Sequence, residues 1–167
     1  MPVVGWTGTH TTAKYLEFLI PILDKLNNEF DFEFCVISNE EPSVKIKNLN
    51  FIKWSKDSEI EDLLRFDIGV MPLTDDQWAK GKCGFKALQY MSLGIPAIVS
   101  PVGMNVEIID QGENGYLCST EKEWYDSLYF LLKNPSEIIK MHNSARMKII
   151  DKYSIVSNKK NFLNLFN

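Results

Sequence analysis

Two rhythms of apolar residues alternate along the chain. Short β-branched or aromatic runs stand at Val3 to Thr7, Phe32 to Ile37, Asn50 to Trp54, Asp67 to Met71, Ala97 to Ser100 and Tyr116 to Cys118. Each is followed at once by Gly, Ser or Pro, which predicts strands that end in turns. Between the first two, Leu16, Leu19, Leu23 and Leu26 repeat at helical spacing, so a helix is predicted from Ala13 to Leu26, with Pro21 expected to kink it. Further helices are predicted for Ser58 to Phe66, where Ser58 and Glu61 have capping-box spacing, for Gly84 to Leu93 and for Met104 to Asp110. Helical patterns then follow at Glu121–Leu132, Ser136–Asp151 and Ser154–Phe166, broken at Asn134-Pro135 and Tyr153-Ser154. Strands separated by helices need right-handed crossovers. The expected fold is therefore α/β: a Rossmann-like parallel sheet with helices on both faces.

Composition narrows the class. A length of 167 residues with 45% hydrophobic and 24% charged side chains suits one globular domain with a substantial core, and excludes disorder and collagen-like repetition. No apolar stretch reaches the roughly 18–20 residues that cross a bilayer. The opening Met1-Pro2-Val3-Val4-Gly5 lacks the pattern of a signal peptide, so the cytoplasm is the expected compartment. The net charge of −4 gives no support for nucleic acid as a partner. That total hides an asymmetry: residues 138–167 carry Lys140, Arg146, Lys148, Lys152, Lys159 and Lys160 against Asp151 alone, or +5, leaving −9 on the rest. The basic tail reads as a solvated helix face, or as a contact with anionic lipid on the inner face of a membrane or with an acidic neighbouring domain. Cys35, Cys83 and Cys118 are too few and too scattered for a disulfide framework or a zinc site, and with only His10 and His142 no metal centre is expected.

In an open parallel sheet the ligand loops lie beyond the carboxyl ends of the strands. The first is Gly5-Trp6-Thr7-Gly8-Thr9-His10-Thr11-Thr12, whose glycines let a ligand approach the backbone and whose hydroxyls and helix N-terminal N–H groups suit phosphate. It matches neither a dinucleotide fingerprint nor a Walker sequence, and an ordinary helix cap has the same composition. Lys14 lies one turn further on; it reaches a phosphate or is simply exposed. The second loop, Lys80-Gly81-Lys82-Cys83-Gly84-Phe85-Lys86, puts three lysines and two glycines before an apolar helix, the makings of a diphosphate cradle or of a plain solvated turn.

These segments belong to a longer ordered series. From Asp67 the chain runs Asp-Ile-Gly-Val-Met-Pro, then Gly84-Phe-Lys-Ala-Leu-Gln-Tyr-Met-Ser-Leu-Gly-Ile-Pro-Ala-Ile-Val-Ser, then Pro101-Val-Gly-Met-Asn-Val-Glu-Ile-Ile-Asp-Gln-Gly-Glu-Asn-Gly-Tyr-Leu. This resembles the donor-binding half of GT-B glycosyltransferases, the group called glycosyl transferase group 1 or family 4. Met91-Ser92-Leu93-Gly94-Ile95-Pro96 matches the end of the family's Glu-x7-Glu helix, Glu107-Ile108-Ile109 the next element, and Gln111-Gly112-Glu113-Asn114-Gly115 the turn after it. About fifty residues match closely.

The resemblance implies a single nucleotide-sugar-binding domain over residues 1–167, one half of a GT-B fold, with an acceptor-binding domain preceding it in the full enzyme. It implies transfer of a sugar from a nucleoside diphosphate sugar to a glycan or lipid-linked acceptor, with retention of configuration and without a metal or other cofactor. Read from the residues, Gly8, Thr9, Lys14, Cys83, Gly84 and Asn105 are candidates for the donor's diphosphate and sugar and Trp54 and Glu107 for the nucleoside, against the plain readings of Trp54 as a core or interface tryptophan and of Asn105 and Glu107 as helix caps. Aligned on Gly94 and Pro96, the resemblance adds Gly81, Lys82 and Lys86 to the first group and Gln89 to the second. Trp54 is a candidate to stack on the base. The chain departs from the family at two positions: Gln89 stands where a glutamate normally binds the ribose, and Gly81 where one normally touches the sugar. No general base is identifiable; Asp75 and Asp76 are the acidic residues of the intervening loop. A nucleotide-sugar epimerase half-domain and a non-catalytic nucleotide-sugar-binding module are the alternative readings. A signalling receiver of similar length needs an acidic cluster after its first strand, where this chain has Thr7, Gly8 and Thr9.

Overall fold

The computed structural model describes residues 1–166. Six parallel strands form one sheet: β1 (Val3–Gly8), β2 (Glu33–Ser38), β3 (Leu49–Lys53), β4 (Ile68–Met71), β5 (Ala97–Val99) and β6 (Gly115–Leu117), in the order β3-β2-β1-β4-β5-β6. The strand order reverses between β1 and β4, and that is where a doubly wound sheet opens a ligand crevice.

Side chains alternate across the sheet and build two cores. Val4, Trp6, Phe34, Val36, Ile68, Val70 and Ile98 face one side. Cys35, Ile37, Met71, Ala97 and Val99 face the other. The first face is covered by the helical run after β1 and by α7 (Glu121–Lys133), through Leu16, Leu19, Leu23, Trp124 and Leu128. The second is covered by α3 (Glu59–Leu63), α5 (Phe85–Ser92) and α6 (Asn105–Ile108), through Leu63, Ala87, Met91 and Ile108. Helix α8 (Pro135–Lys148) serves both, with Ile138 and Met141 on the first core and Ala145 on the second.

The predicted helix from Ala13 to Leu26 is three pieces. It begins earlier, as α1 (His10–Ala13), tightens to a 3₁₀ segment (Lys14–Leu19) and resumes as α2 (Ile20–Leu26). Pro21 sits in the first turn of α2, where its missing N–H is not needed. Ser58 is the N-cap of α3, but it makes no side-chain bond to backbone and donates instead to Asp62 Oδ2 at 2.7 Å. The reciprocal capping box belongs to Thr120 and Glu123 at α7. A short helix, α4 (Gln77–Lys80), lies in the loop after β4. After α8 a π-helical turn (Ile149–Tyr153) leads to α9 (Ile155–Leu163), which has no buried residue. Among the described residues no helix is long and apolar enough to cross a membrane.

The basic tail is partly internal. Lys148, whose side chain is only 10% exposed, holds both Asp110 carboxylate oxygens at 2.7 and 2.8 Å, and Arg146 donates to the Ser92 carbonyl at the end of α5. Asp110 also accepts from Asn114, so Lys148 ties α8 to the Gln111–Gly115 turn. Lys148→Met is expected to lower unfolding stability by about 1–3 kcal/mol, because it strands a partly buried carboxylate. Lys140→Met, which breaks an exposed pair with Glu137, shifts the urea midpoint by under about 0.5 kcal/mol equivalent.

Candidate functional site

The two central strands part before they end. β1 pairs with β2 over all six residues, yet meets β4 only at Val4↔Ile68 and Gly5↔Gly69. Beyond that point Tyr90 of α5, fully buried, inserts its hydroxyl between the strands: it accepts from Thr7 N–H at 2.9 Å and donates to the Val70 carbonyl at 3.3 Å. A Cβ on Gly5 would lie 2.1 Å from the Phe66 ring and one on Gly69 2.4 Å from the Tyr90 ring, so this glycine pair makes room for both aromatics.

Over the parted ends lies a cavity of about 400 Å³, lined by Gly8, Thr9 and Thr12 from the first loop, Met71 from β4, and Gly81, Lys82, Cys83, Phe85 and Lys86 from the second. Six of the sequence-assigned donor residues thus share one wall-to-wall space. Lys86 is its chemical centre. The side chain is largely buried, its Nζ sits 4.4 Å over the Trp6 ring and 3.4 Å from Thr12 Oγ1, and among the described residues it has no carboxylate partner. Burial first, and the like charge of Lys82 second, push its pKa down to about 7. A Cβ on Gly8 would stand 2.4 Å from the Trp6 ring and 2.6 Å from that Nζ, so the glycine leaves room chiefly for the buried ring over which the ammonium sits. Lys82 is also pushed down, by burial first and by Lys14 less strongly, while Asp76 opposes the shift. The N-terminus of α5 opens on the same space: Gly84, at φ 70°, is its N-cap, and no side chain caps it.

The remaining assigned residues lie elsewhere. Lys14 is exposed and borders a neighbouring cavity of about 460 Å³, although its Nζ and that of Lys82 both lie near the Tyr15 ring, at 5.4 and 4.8 Å. Asn105 is 1% exposed; its Nδ2 donates to the Ser100 carbonyl, and its unpaired Oδ1 lies behind Gly84 rather than in the cavity. Glu107 is exposed on α6, and its carbonyl receives the Tyr153 hydroxyl at 3.4 Å. Trp54, just past β3 and 42% exposed, donates from Nε1 to Glu59 Oε1 at 3.0 Å. Gln89 donates to the same oxygen at 3.0 Å. Of the two loop acids, Asp76 caps α4 by accepting from Ala79 N–H, and Asp75 pairs with Lys80 at 3.2 Å. Neither faces the cavity. Among the described residues no group of three or more His, Cys, Asp or Glu is gathered as a metal would require.

The sequence reading missed Glu59 and Tyr90. Glu59 could be read only as one of several acids opening a helix, and Tyr90 as an apolar member of the Gln-Tyr-Met run; both act through partners far off in sequence.

The crevice lies at the switch point, where doubly wound sheets bind their ligands, and among the described residues Lys82 and Lys86 in its lining form no ion pair. The family model for glycosyl transferases group 1 matches residues 1–134. The chain belongs to this family. Solved structures agree on the fold. S. aureus TarM, crystallised with fondaparinux, alpha-GlcNAc-glycerol and UDP, superposes with a TM-score of 0.81 at 21% identity, over 99% of this chain and 35% of TarM. Anabaena HepE, in complex with UDP and glucose, gives 0.77 at 13% identity over 98% of this chain and 47% of HepE. The C-terminal domain of LpcC, a group 1 family protein from Francisella tularensis, gives 0.68 at 24% identity over 92% of this chain and 87% of that one. No curated protein is a significant match. The chain thus spans about a third of TarM and under half of HepE, while the LpcC chain is of similar extent.

Proposed function

We propose that this chain is the donor-binding domain of a retaining glycosyltransferase. It holds a nucleoside diphosphate sugar while a preceding domain presents a glycan or lipid-linked acceptor. The observation that carries the reading is Lys86: a buried ammonium with no carboxylate costs folding energy, and an incoming diphosphate supplies the missing counter-charge. Lys82 shares the cavity, and the uncapped N–H groups of α5 add fixed dipoles.

The chemistry asked of these groups is electrostatic. As the glycosidic bond breaks, the sugar gains oxocarbenium character and the leaving diphosphate gains negative charge, which cations and oriented N–H groups stabilise without a metal. Lys82 and Lys86 take that role. Lys14 contributes only by swinging from its position over Tyr15. The acceptor-side base is supplied from outside this cavity, since Asp75 and Asp76 are engaged elsewhere. The uridine diphosphate held by TarM and HepE makes UDP the first nucleotide to test. Calorimetric titration with UDP, GDP and ADP is expected to give saturable binding of at least one. The absence of binding at millimolar nucleotide would overturn the reading.

The second reading is a non-catalytic nucleotide-sugar-binding module. It is favoured by Gly81, which brings only backbone where the family carries a carboxylate. Turnover of labelled donor by the full-length protein separates the two.

A further inference from the structure

A carboxylate stands beside Gln89, but it comes from a different helix. Glu59, half-buried in the first turn of α3, reaches across to α5, where its Oε1 accepts Gln89 Nε2 at 3.0 Å and Trp54 Nε1 at 3.0 Å. Both bonds fall on one oxygen, so Oε2 keeps its lone pairs for another donor. Among the described residues Glu59 forms no ion pair that would consume its charge.

Position on α5 says which part of a ligand it meets. Gln89 follows Lys86 by three residues, one turn along the same side of the helix. One turn is about 5 Å, the order of the separation between a nucleotide's diphosphate and its ribose. A diphosphate paired with Lys86 therefore brings the ribose beside Gln89 and Glu59, with the base toward Trp54. A ribose offers there two adjacent hydroxyl donors. A carboxylate, which only accepts, complements such a diol better than the amide of Gln89 does.

We propose that the Glu59 carboxylate, positioned by Trp54 and Gln89, binds the 2′,3′-diol of the donor nucleotide and so replaces, from α3, the carboxylate that α5 lacks. The proposal rests on the donor-site reading. Glu59 touches the ligand; Trp54 Nε1 and Gln89 are positioning groups, and the Trp54 ring stays free to pack on the base.

The test compares UDP, GDP and ADP with their 2′,3′-dideoxy counterparts by calorimetry. The wild-type chain is expected to prefer the ribonucleotide about tenfold or more, the worth of a charge-assisted hydrogen bond. Glu59→Gln, which keeps an acceptor for Trp54, should reduce that preference to about twofold while leaving the dideoxy affinity unchanged. Glu61→Gln, on the exposed side of α3, should retain it. Should Glu59→Gln not be folded at the titration temperature, Trp54→Phe replaces it and is expected to cut the preference several-fold. A preference that survives Glu59→Gln undiminished, or a wild type with none, overturns the assignment but leaves the donor site standing. A wild type that binds no nucleotide removes both.

Discussion

Replacing Lys86 by methionine is expected to weaken nucleoside diphosphate binding by about 10- to 100-fold, the range for losing a charge-assisted contact in a desolvated site. Nucleoside without phosphate should bind the variant as before. The pH dependence tells this lysine from an ordinary basic residue. Free, it titrates at about 7, against an ordinary value of 10.5, because burial and then Lys82 disfavour its charge. A bound diphosphate restores the charge, so binding above neutrality must take up a proton. Affinity is then level below about pH 7 and falls above it by at most about tenfold per unit. Calorimetry in two buffers of different ionisation enthalpy should register close to one proton taken up at pH 8, and none for Lys86→Met. Folding stability changes in the opposite direction. Between about pH 7 and 10.5 the unfolded chain keeps a proton that the folded chain has lost, so this group's contribution to stability rises with pH across that window. A binding constant flat from pH 6 to 9 would show that the free chain keeps this ammonium charged, and the affinity of Lys86→Met alone would then decide whether it holds the diphosphate.

What the sequence revealed and what it hid divide along chain separation. The strands were readable because each is a contiguous β-branched or aromatic run, and the order of alternation was enough to expect a parallel sheet. Two loops, one rich in glycine and hydroxyls and one in glycine and lysine, stood out in the sequence, and six candidate residues from them line one cavity. The breaks in the first helix were not. Leu16, Leu19 and Leu23 keep helical spacing through the 3₁₀ segment, because their burial against the sheet decides the local winding. The carboxylate beside position 89 was hidden for a related reason. Position 89 looked like a loss of charge, but Glu59, thirty positions upstream, stands against it, and only the packing of α3 beside α5 brings it there. Asn105, assigned by its place before a short helix, turned out to spend its amide on Ser100 inside the core.

Tyr90→Phe is expected to cost about 2–4 kcal/mol of unfolding stability, although it removes one oxygen atom and no apolar contact. The hydroxyl occupies the place where a ladder bond between β1 and β4 would be, taking Thr7 N–H and giving to the Val70 carbonyl. Phenylalanine fills the same volume and leaves both backbone groups buried and unpaired, at about 1–3 kcal/mol each, with the longer Val70 bond at the low end. For a chain of this length that corresponds to a fall in melting temperature of roughly 5–12 °C. Tyr129→Phe, whose exposed hydroxyl accepts only a long bond from Lys133, serves as the control and should stay within about 0.5 kcal/mol. The loss should extend to the site. Thr7 leads directly into Gly8 and Thr9, so a loosened Thr7 frees the loop against which the Lys86 ammonium rests, and nucleotide affinity should fall together with stability. If Tyr90→Phe instead melts with the wild type, solvent or a shifted strand must be satisfying Thr7 and Val70, and the parted strands, rather than the tyrosine between them, hold the crevice open.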